Sequence, residues 1–336
     1  MVWNKIRYNL RELQLKGTLS GGQSFRWVHN TDTDEWIGVF SKTVWKLKEN
    51  SDCLKYQIIG SLLNKKPKSN KDNVAITQNT DFKVLLEDYF RLDMNLSAHY
   101  KEWSERDQLF QEACQQFYGI RMLRQEPVEN LFSFICSQNN HISRISSMVE
   151  KLCTHYGEEI CEHNGVTYYA FPEVEKLANP QVESQLRTLG FGYRAKFIQK
   201  SAAQIVEWGG NNWFKDLQDM KYKDARAELM KLHGIGPKVA DCICLMSLNH
   251  LEALPVDTHV YQIAAQNYLP HLRGKKHVTE KMYAEIGDHF RTLYGDMAGW
   301  AHTVLFCADL KKFQDNTNEG DAGKPKKKRK KTVIFS

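Results

Sequence analysis

Long apolar runs are missing from this chain of 336 residues; nowhere do about 18 or more apolar residues follow one another, the length a membrane-crossing helix needs. A secretory leader is missing too, and a soluble intracellular protein is expected. Cysteine is present without a pattern. The eight, at positions 53, 114, 136, 153, 161, 242, 244 and 307, suggest neither a disulfide framework nor a Cys/His zinc spacing. Proline is scarce, and four of the eight, Pro127, Pro172, Pro180 and Pro237, fall near expected helix starts. Net charge is also small outside one place. The total is +6, but seven of the 46 Lys and Arg lie between Lys324 and Lys331, leaving 39 against 40 acidic residues elsewhere. Any polyanion must therefore be held by a local basic face or by backbone amides rather than by a global field. The run KPKKKRKK follows a polar Asp/Asn/Gly stretch and looks like a nuclear localisation signal on a disordered tail, with a tail that merely attracts DNA as the alternative.

What is there divides by period. Residues 24 to 60 alternate apolar and polar positions, with Phe25, Trp27, Trp36, Val39 and Trp45 separated by Asn-Thr-Asp and Ser-Lys turns, which predicts antiparallel hairpins. A polar linker, Asn64 to Asn73, follows. From Phe82 onward the apolar spacing is helical, and helices are expected to dominate to about Phe313.

Within the helical part, LHGIGPKVADC (Leu232 to Cys242) followed by LPVDTH (Leu254 to His259) carries the chemistry. Gly234 and Gly236 bracket a tight hairpin in which missing side chains permit positive φ and let backbone N–H groups approach a phosphate. Pro237 opens a second helix whose positive end faces the same place, and an amphipathic helix from about Asp224 to Leu232 precedes it. Lys238 lies in the first turn, above a buried face of Val239, Cys242, Ile243 and Met246. A lysine between a helix N-terminus and apolar neighbours is expected to carry some neutral amine, the form that attacks electrophilic carbon. At the anomeric carbon of a nucleotide such attack expels the base, and the resulting Schiff base permits β-elimination. Asp257 opens another apolar-periodic segment, so it can cap a helix as well as stabilise positive charge on a sugar. Taken singly, the lysine is equally a phosphate contact and the aspartate only a cap.

GGQSFRW (Gly21 to Trp27), FICSQNNHISRI (Phe134 to Ile145), LGFGYRAKF (Leu189 to Phe197), HGIGPKVADCICLM (His233 to Met246), PVDTH (Pro255 to His259) and AGWAHTVLFCADL (Ala298 to Leu310) occur in one order. Over roughly residues 10 to 312 the chain thereby resembles the eukaryotic 8-oxoguanine DNA glycosylases, members of the helix-hairpin-helix superfamily. The resemblance implies excision of oxidised guanine opposite cytosine, with Lys238 as Schiff-base nucleophile and Asp257 as catalytic carboxylate. It further implies a base pocket of Gly22, whose carbonyl meets the N7 hydrogen of the lesion, with Cys242, Pro255, His302 and Phe306. His259 would contact a phosphate, as would the hairpin at Gly234 and Gly236. Asn139, Arg144 and Arg194 would read the widowed cytosine, and Tyr193 would wedge into the stack. From the residues themselves, Asn139 and Asn140 suggest an exposed turn or helix end, GFGYR an exposed loop before a helix from Ala195 to Val206, and GQSFRW a turn feeding a strand.

The chain departs from the family at His302, where glutamine is usual. A neutral imidazole has one acceptor nitrogen and a protonated one has none, so lesion affinity is expected to fall at acidic pH if His302 faces the base. Some related hairpin enzymes carry an iron–sulfur cluster after the aspartate; here only Cys307 follows Asp257, so no cluster and no required cofactor are expected. The expected architecture is α+β: an N-terminal antiparallel sheet with helices over 1–105, a mostly helical glycosylase body over 106–313 with its hairpin near 224–248, and a basic tail over 314–336. The expected function is a bifunctional glycosylase and abasic-site lyase acting on duplex DNA, nuclear, monomeric and without a membrane role. The alternatives are a glycosylase for another damaged base and a non-catalytic lesion-binding protein.

Overall fold

The structure is a computed structural model that describes residues 2–9, 11–63, 80–275 and 277–321, with side chains to Asp309 in the last helix. The linker at 64–73 and the basic run at 324–331 lie outside the described residues.

Alternation gives the first layer. Strands β1 (Asn4–Arg7), β2 (Trp27–Asn30), β3 (Glu35–Phe40), β4 (Thr43–Asn50) and β5 (Cys53–Ser61) form an antiparallel sheet in the order β1-β5-β4-β3-β2. The Ser-Lys turn between β3 and β4 has Ser41 and Lys42 at φ 48 and 53°, the mirror-image turn whose twist matches that of paired strands. Helix α1 (Leu15–Ser20) lies between β1 and β2, and α2 (Phe82–Tyr89) follows the sheet. Trp45, Leu47 and Leu54 pack with Leu86 and Phe90 into a small core, with Phe40 stacked between Trp45 and Tyr89.

Helical periodicity gives the rest. In order come α3 (Leu96–Arg106), α4 (Gln108–Ala113), α5 (Pro127–Ser137) and α6 (Ile142–Tyr156), then α7 (Val174–Ala178), α8 (Gln181–Thr188) and α9 (Arg194–Glu207). They continue with α10 (Asn211–Asp219), α11 (Tyr222–Leu229), α12 (Pro237–Met246), α13 (Thr258–Ile263), α14 (Glu280–Tyr294) and α15 (Ala298–Asp321). Pro127 and Pro237 each occupy the first helical turn, where a missing N–H costs nothing. The predicted run of helices is interrupted once, by a hairpin of β6 (Glu159–His163) and β7 (Val166–Tyr169) that packs Ile160 against Val39 and Val44 of the sheet. The main core gathers α3 to α15 and also takes Phe25, which meets Phe134 edge-on at 5.7 Å. Arg26, almost wholly buried, donates to the Tyr169 carbonyl at 2.5 Å and faces Glu129 at 3.5 Å, so the GGQSFRW segment is anchored into the helical body. Helix α15 continues to Asp321, past Phe313.

Candidate active site

The hairpin between α11 and α12 follows the sequence with one correction. Gly234 has φ 84°, and a Cβ there would meet the Phe197 ring at 2.4 Å. Gly236, by contrast, is extended, at φ −101° and ψ 178°, and its carbonyl accepts the first bond of α12, from the Ala240 N–H at 3.0 Å. A Cβ there would point into open space, so neither conformation nor packing within the chain demands glycine at this position. Gly234→Ala should destabilise the protein by about 2 kcal/mol or more, since left-handed strain adds to overpacking against a ring wedged between Tyr193 and His233. Urea unfolding of the two proteins checks this, and an unchanged midpoint would show the hairpin to be slack.

Helix α12 packs between α5 and α11, and this sets the position of Lys238. Its Nζ lies 5.1 Å from the centroid of the Phe134 ring and is hydrogen-bonded to Cys242, one turn on. Burial pushes the Cys242 thiol up to about 12, against the pull of Lys238, so the sulfur stays protonated and acts as an uncharged wall. Asp257 is buried and caps α13, its Oδ1 accepting the Val260 N–H at 2.9 Å. The helix-capping reading of Asp257 therefore holds, and the same residue also lines a cavity.

That cavity, about 50 Å³, is walled by Lys238, Cys242, Asp257, Pro255, His302 and Phe306 together with Gly22. Seven positions from four separate segments of the sequence therefore converge. Gly22 adopts φ 80° on the turn before β2, and Gln23 fastens that turn by donating to the Arg121 carbonyl at 2.8 Å and accepting the Leu123 N–H at 2.9 Å. Phe134 and Met246 also line the cavity and were not anticipated. The signal for them was helical: Phe134 lies within the apolar run of α5, and Met246 lies two turns after Lys238.

His302 does face this cavity, but the acid sensitivity expected of it does not follow. Burial drives its imidazole down to about 4, so it stays neutral through the physiological range, and its Nε2 has no hydrogen-bond partner among the described residues. The consequence falls on stability. Because the folded value lies below the ordinary 6.5, the unfolded chain binds more protons between these limits; the contribution is complete above pH 6.5 and is lost as pH falls towards 4. The difference is on the order of 3 kcal/mol, and His302→Gln should remove it. Denaturant unfolding at pH 7 and 4.5 checks this, and equal acid losses in both proteins would contradict it.

His259 is buried at the start of α13, edge-on to Phe306 at 6.0 Å, with Nδ1 3.5 Å from the Asp309 carboxylate. The Asp309 carboxylate raises its pKa against the opposing effect of burial, favouring the imidazolium.

The second group of predicted residues gathers around the turn from α5 to α6. Asn139 is exposed at φ 45°, but its neighbour Asn140 is buried, donating to the Cys136 carbonyl at 2.9 Å, so the expected exposure holds for the first alone. Tyr193 is 45% exposed and donates to the Gln138 carbonyl at 3.2 Å. Arg194 was expected on an exposed loop; it is 3% exposed and begins α9, with Nε on the Gln138 carbonyl at 3.1 Å and Nη2 on that of Asn139 at 3.1 Å. The reason is that main-chain carbonyls at the turn need donors and the guanidinium supplies several in one plane. Arg144 is exposed, reaching the Gly190 carbonyl at 3.3 Å. Gln138, which the sequence did not single out, donates to the Gly234 carbonyl at 2.8 Å and ties this cluster to the hairpin. Among the described residues no group of three or more His, Cys, Asp or Glu could hold a metal ion, and no helix is long and apolar enough to cross a membrane.

Comparison with known proteins matches this geometry. Residues 5–131 match the N-terminal domain of 8-oxoguanine DNA glycosylase, and residues 132–287 match the HhH-GPD superfamily of base excision DNA repair proteins. The N-glycosylase/DNA lyase of Saccharomyces cerevisiae is 36% identical over 96% of this chain and 90% of its own length. The Arabidopsis thaliana N-glycosylase/DNA lyase OGG1 is 35% identical over 92% of this chain and 80% of its own. The 8-oxoguanine glycosylase/lyase of Clostridium acetobutylicum, solved with duplex DNA containing cytosine opposite 8-oxoguanine, superposes with a TM-score of 0.74 at 29% identity, covering 90% of this chain and 93% of that one. A glycine hairpin leading into α12, a lysine and a carboxylate in one cavity, and matches that run through both halves of the molecule place the chain in the 8-oxoguanine DNA glycosylase family of helix-hairpin-helix base excision repair proteins.

Proposed function

We propose that this protein binds duplex DNA, flips 8-oxoguanine out of its pair with cytosine and removes it as a DNA N-glycosylase, then cleaves the strand as a DNA lyase. The observation that carries the reading is the convergence of Lys238 and Asp257 on one cavity with Gly22, Cys242 and Phe306. The Lys238 amine bonds to C1′ while the base leaves with the electron pair of the glycosidic bond and takes up a proton. Opening of the sugar gives a Schiff base, loss of a 2′ hydrogen breaks the C3′–O bond, and hydrolysis frees the lysine. Asp257 stabilises the positive charge that develops on the sugar.

Recognition divides between the two clusters. In the cavity the Gly22 carbonyl accepts the N7 hydrogen that guanine lacks, Cys242 and Phe306 hold the base between them, and the neutral His302 offers its unpaired Nε2 to the base edge. Around the α5–α6 turn, Asn139, Arg144 and Arg194 contact the unpaired cytosine and Tyr193 fills the stack. The hairpin amides and His259 hold phosphates. No cofactor is needed, the protein acts as a monomer, and Lys324 to Lys331 serves nuclear import.

Excision of 8-oxoguanine opposite cytosine, opposite adenine, and of a plain guanine:cytosine pair tests the assignment. The opposite-cytosine substrate should be cleaved fastest and the undamaged duplex not at all. Tight lesion binding without excision would instead favour a recognition protein. DNA affinity should also weaken as pH rises through the raised pKa of His259, as the imidazolium is lost. Asp309→Asn should move that fall to lower pH in a fluorescence titration, and coincident curves would remove Asp309 from the account.

A further inference from the structure

Beside the cavity, one buried carboxylate joins three elements. Asp241, three residues after Lys238 on α12, is fully buried. Its Oδ1 accepts the Tyr222 hydroxyl at 2.7 Å and Arg226 Nε at 2.9 Å, both from α11, and its Oδ2 accepts the Tyr283 hydroxyl of α14 at 2.5 Å. The same Tyr283 oxygen accepts the backbone N–H of Val256 at 3.1 Å and lies 3.3 Å from the Leu254 carbonyl. Val256 directly precedes Asp257. It is also the first residue after Pro255 with an N–H to give, in a segment outside any helix or strand. One phenol oxygen thus connects the helix that carries Lys238 to the segment that carries Asp257.

We infer that Tyr283, oriented by Asp241, is a positioning residue that sets the Asp257 carboxylate against the Lys238 amine. Asp257 is held from its far side by its own cap on α13, so the Val256 N–H is the tether on its near side. Without the Tyr283 hydroxyl a buried N–H loses its acceptor and Asp241 loses one of its three donors, and the segment is free to shift while the pocket walls remain. Displacements of about 1 Å at reacting groups slow chemistry by up to about a hundredfold. The inference rests on Asp257 being the catalytic carboxylate.

The test is a double-mutant cycle in single-turnover excision on an 8-oxoguanine:cytosine duplex, with the duplex Kd measured alongside. Tyr283→Phe should slow the chemical step by about tenfold and change Kd by no more than about twofold. In an Asp257→Asn background the same substitution should cost nothing further, because the group it positions is already disabled. Tyr222→Phe, which touches Asp241 and not the 254–257 segment, should keep the native rate. If Tyr283→Phe compromises folding, the cycle is run with Asp241→Asn, for which the same non-additivity is expected. Equal slowing in the native and Asp257→Asn backgrounds, an unchanged rate in Tyr283→Phe, or equal slowing by Tyr222→Phe would each overturn the inference. A native rate in Asp257→Asn alone would overturn the assignment of Asp257 first, and the positioning role with it.

Discussion

Lys238→Gln should lower both base removal and strand cleavage on an 8-oxoguanine:cytosine duplex, by on the order of a thousandfold or more, while lesion binding should stay within a few-fold of native. The size follows from the role. An amine that forms the covalent bond has no substitute in the cavity, and nucleophile deletions are among the costliest single changes an enzyme suffers. Glutamine suits a helix interior and can still contact Phe134 and Cys242, so the site keeps its shape. Loss of excision with loss of DNA binding would instead make Lys238 a phosphate contact. Loss of cleavage with base removal intact would assign the nucleophile of the first step to water.

Asp257→Asn separates charge from structure. Asparagine caps helices as well as aspartate does, so α13 should keep its bond to the Val260 N–H and unfold at nearly the native denaturant midpoint. The lost negative charge should still slow excision by about 10²- to 10⁴-fold, the range for a positioned group that acts on the reacting atoms. Asp257→Ala removes both functions and should cost about 1 kcal/mol of stability in addition. Equal excision rates in native protein and Asp257→Asn would leave the residue as a cap and nothing more.

Local rules made the catalytic core legible. A proline at the first helical position, an aspartate before an apolar run and the three-four spacing of Val239, Cys242, Ile243 and Met246 are properties of short segments, and each is present where the sequence indicates. The omissions have different causes. Strand β1 buries only Ile6 and exists because β5 pairs with it. The β6–β7 hairpin is signalled by Asn164-Gly165, both at positive φ, but the helical patterns on either side of this short pair of strands mask it. Arg194 and Asn140 are buried because distant or neighbouring carbonyls recruit them, and nothing in their own segments indicates this. The neutrality of His302 depends on burial from every side, including Phe290 edge-on at 5.1 Å, which a single helix pattern does not convey.

The most direct test of the central claim is to trap the purified protein on an 8-oxoguanine:cytosine duplex with borohydride, digest the adduct and locate the modified residue by mass spectrometry. The account predicts one reduced adduct, on Lys238, absent from a guanine:cytosine control. An adduct on any other amine, or rapid base removal with no adduct at all, would contradict it.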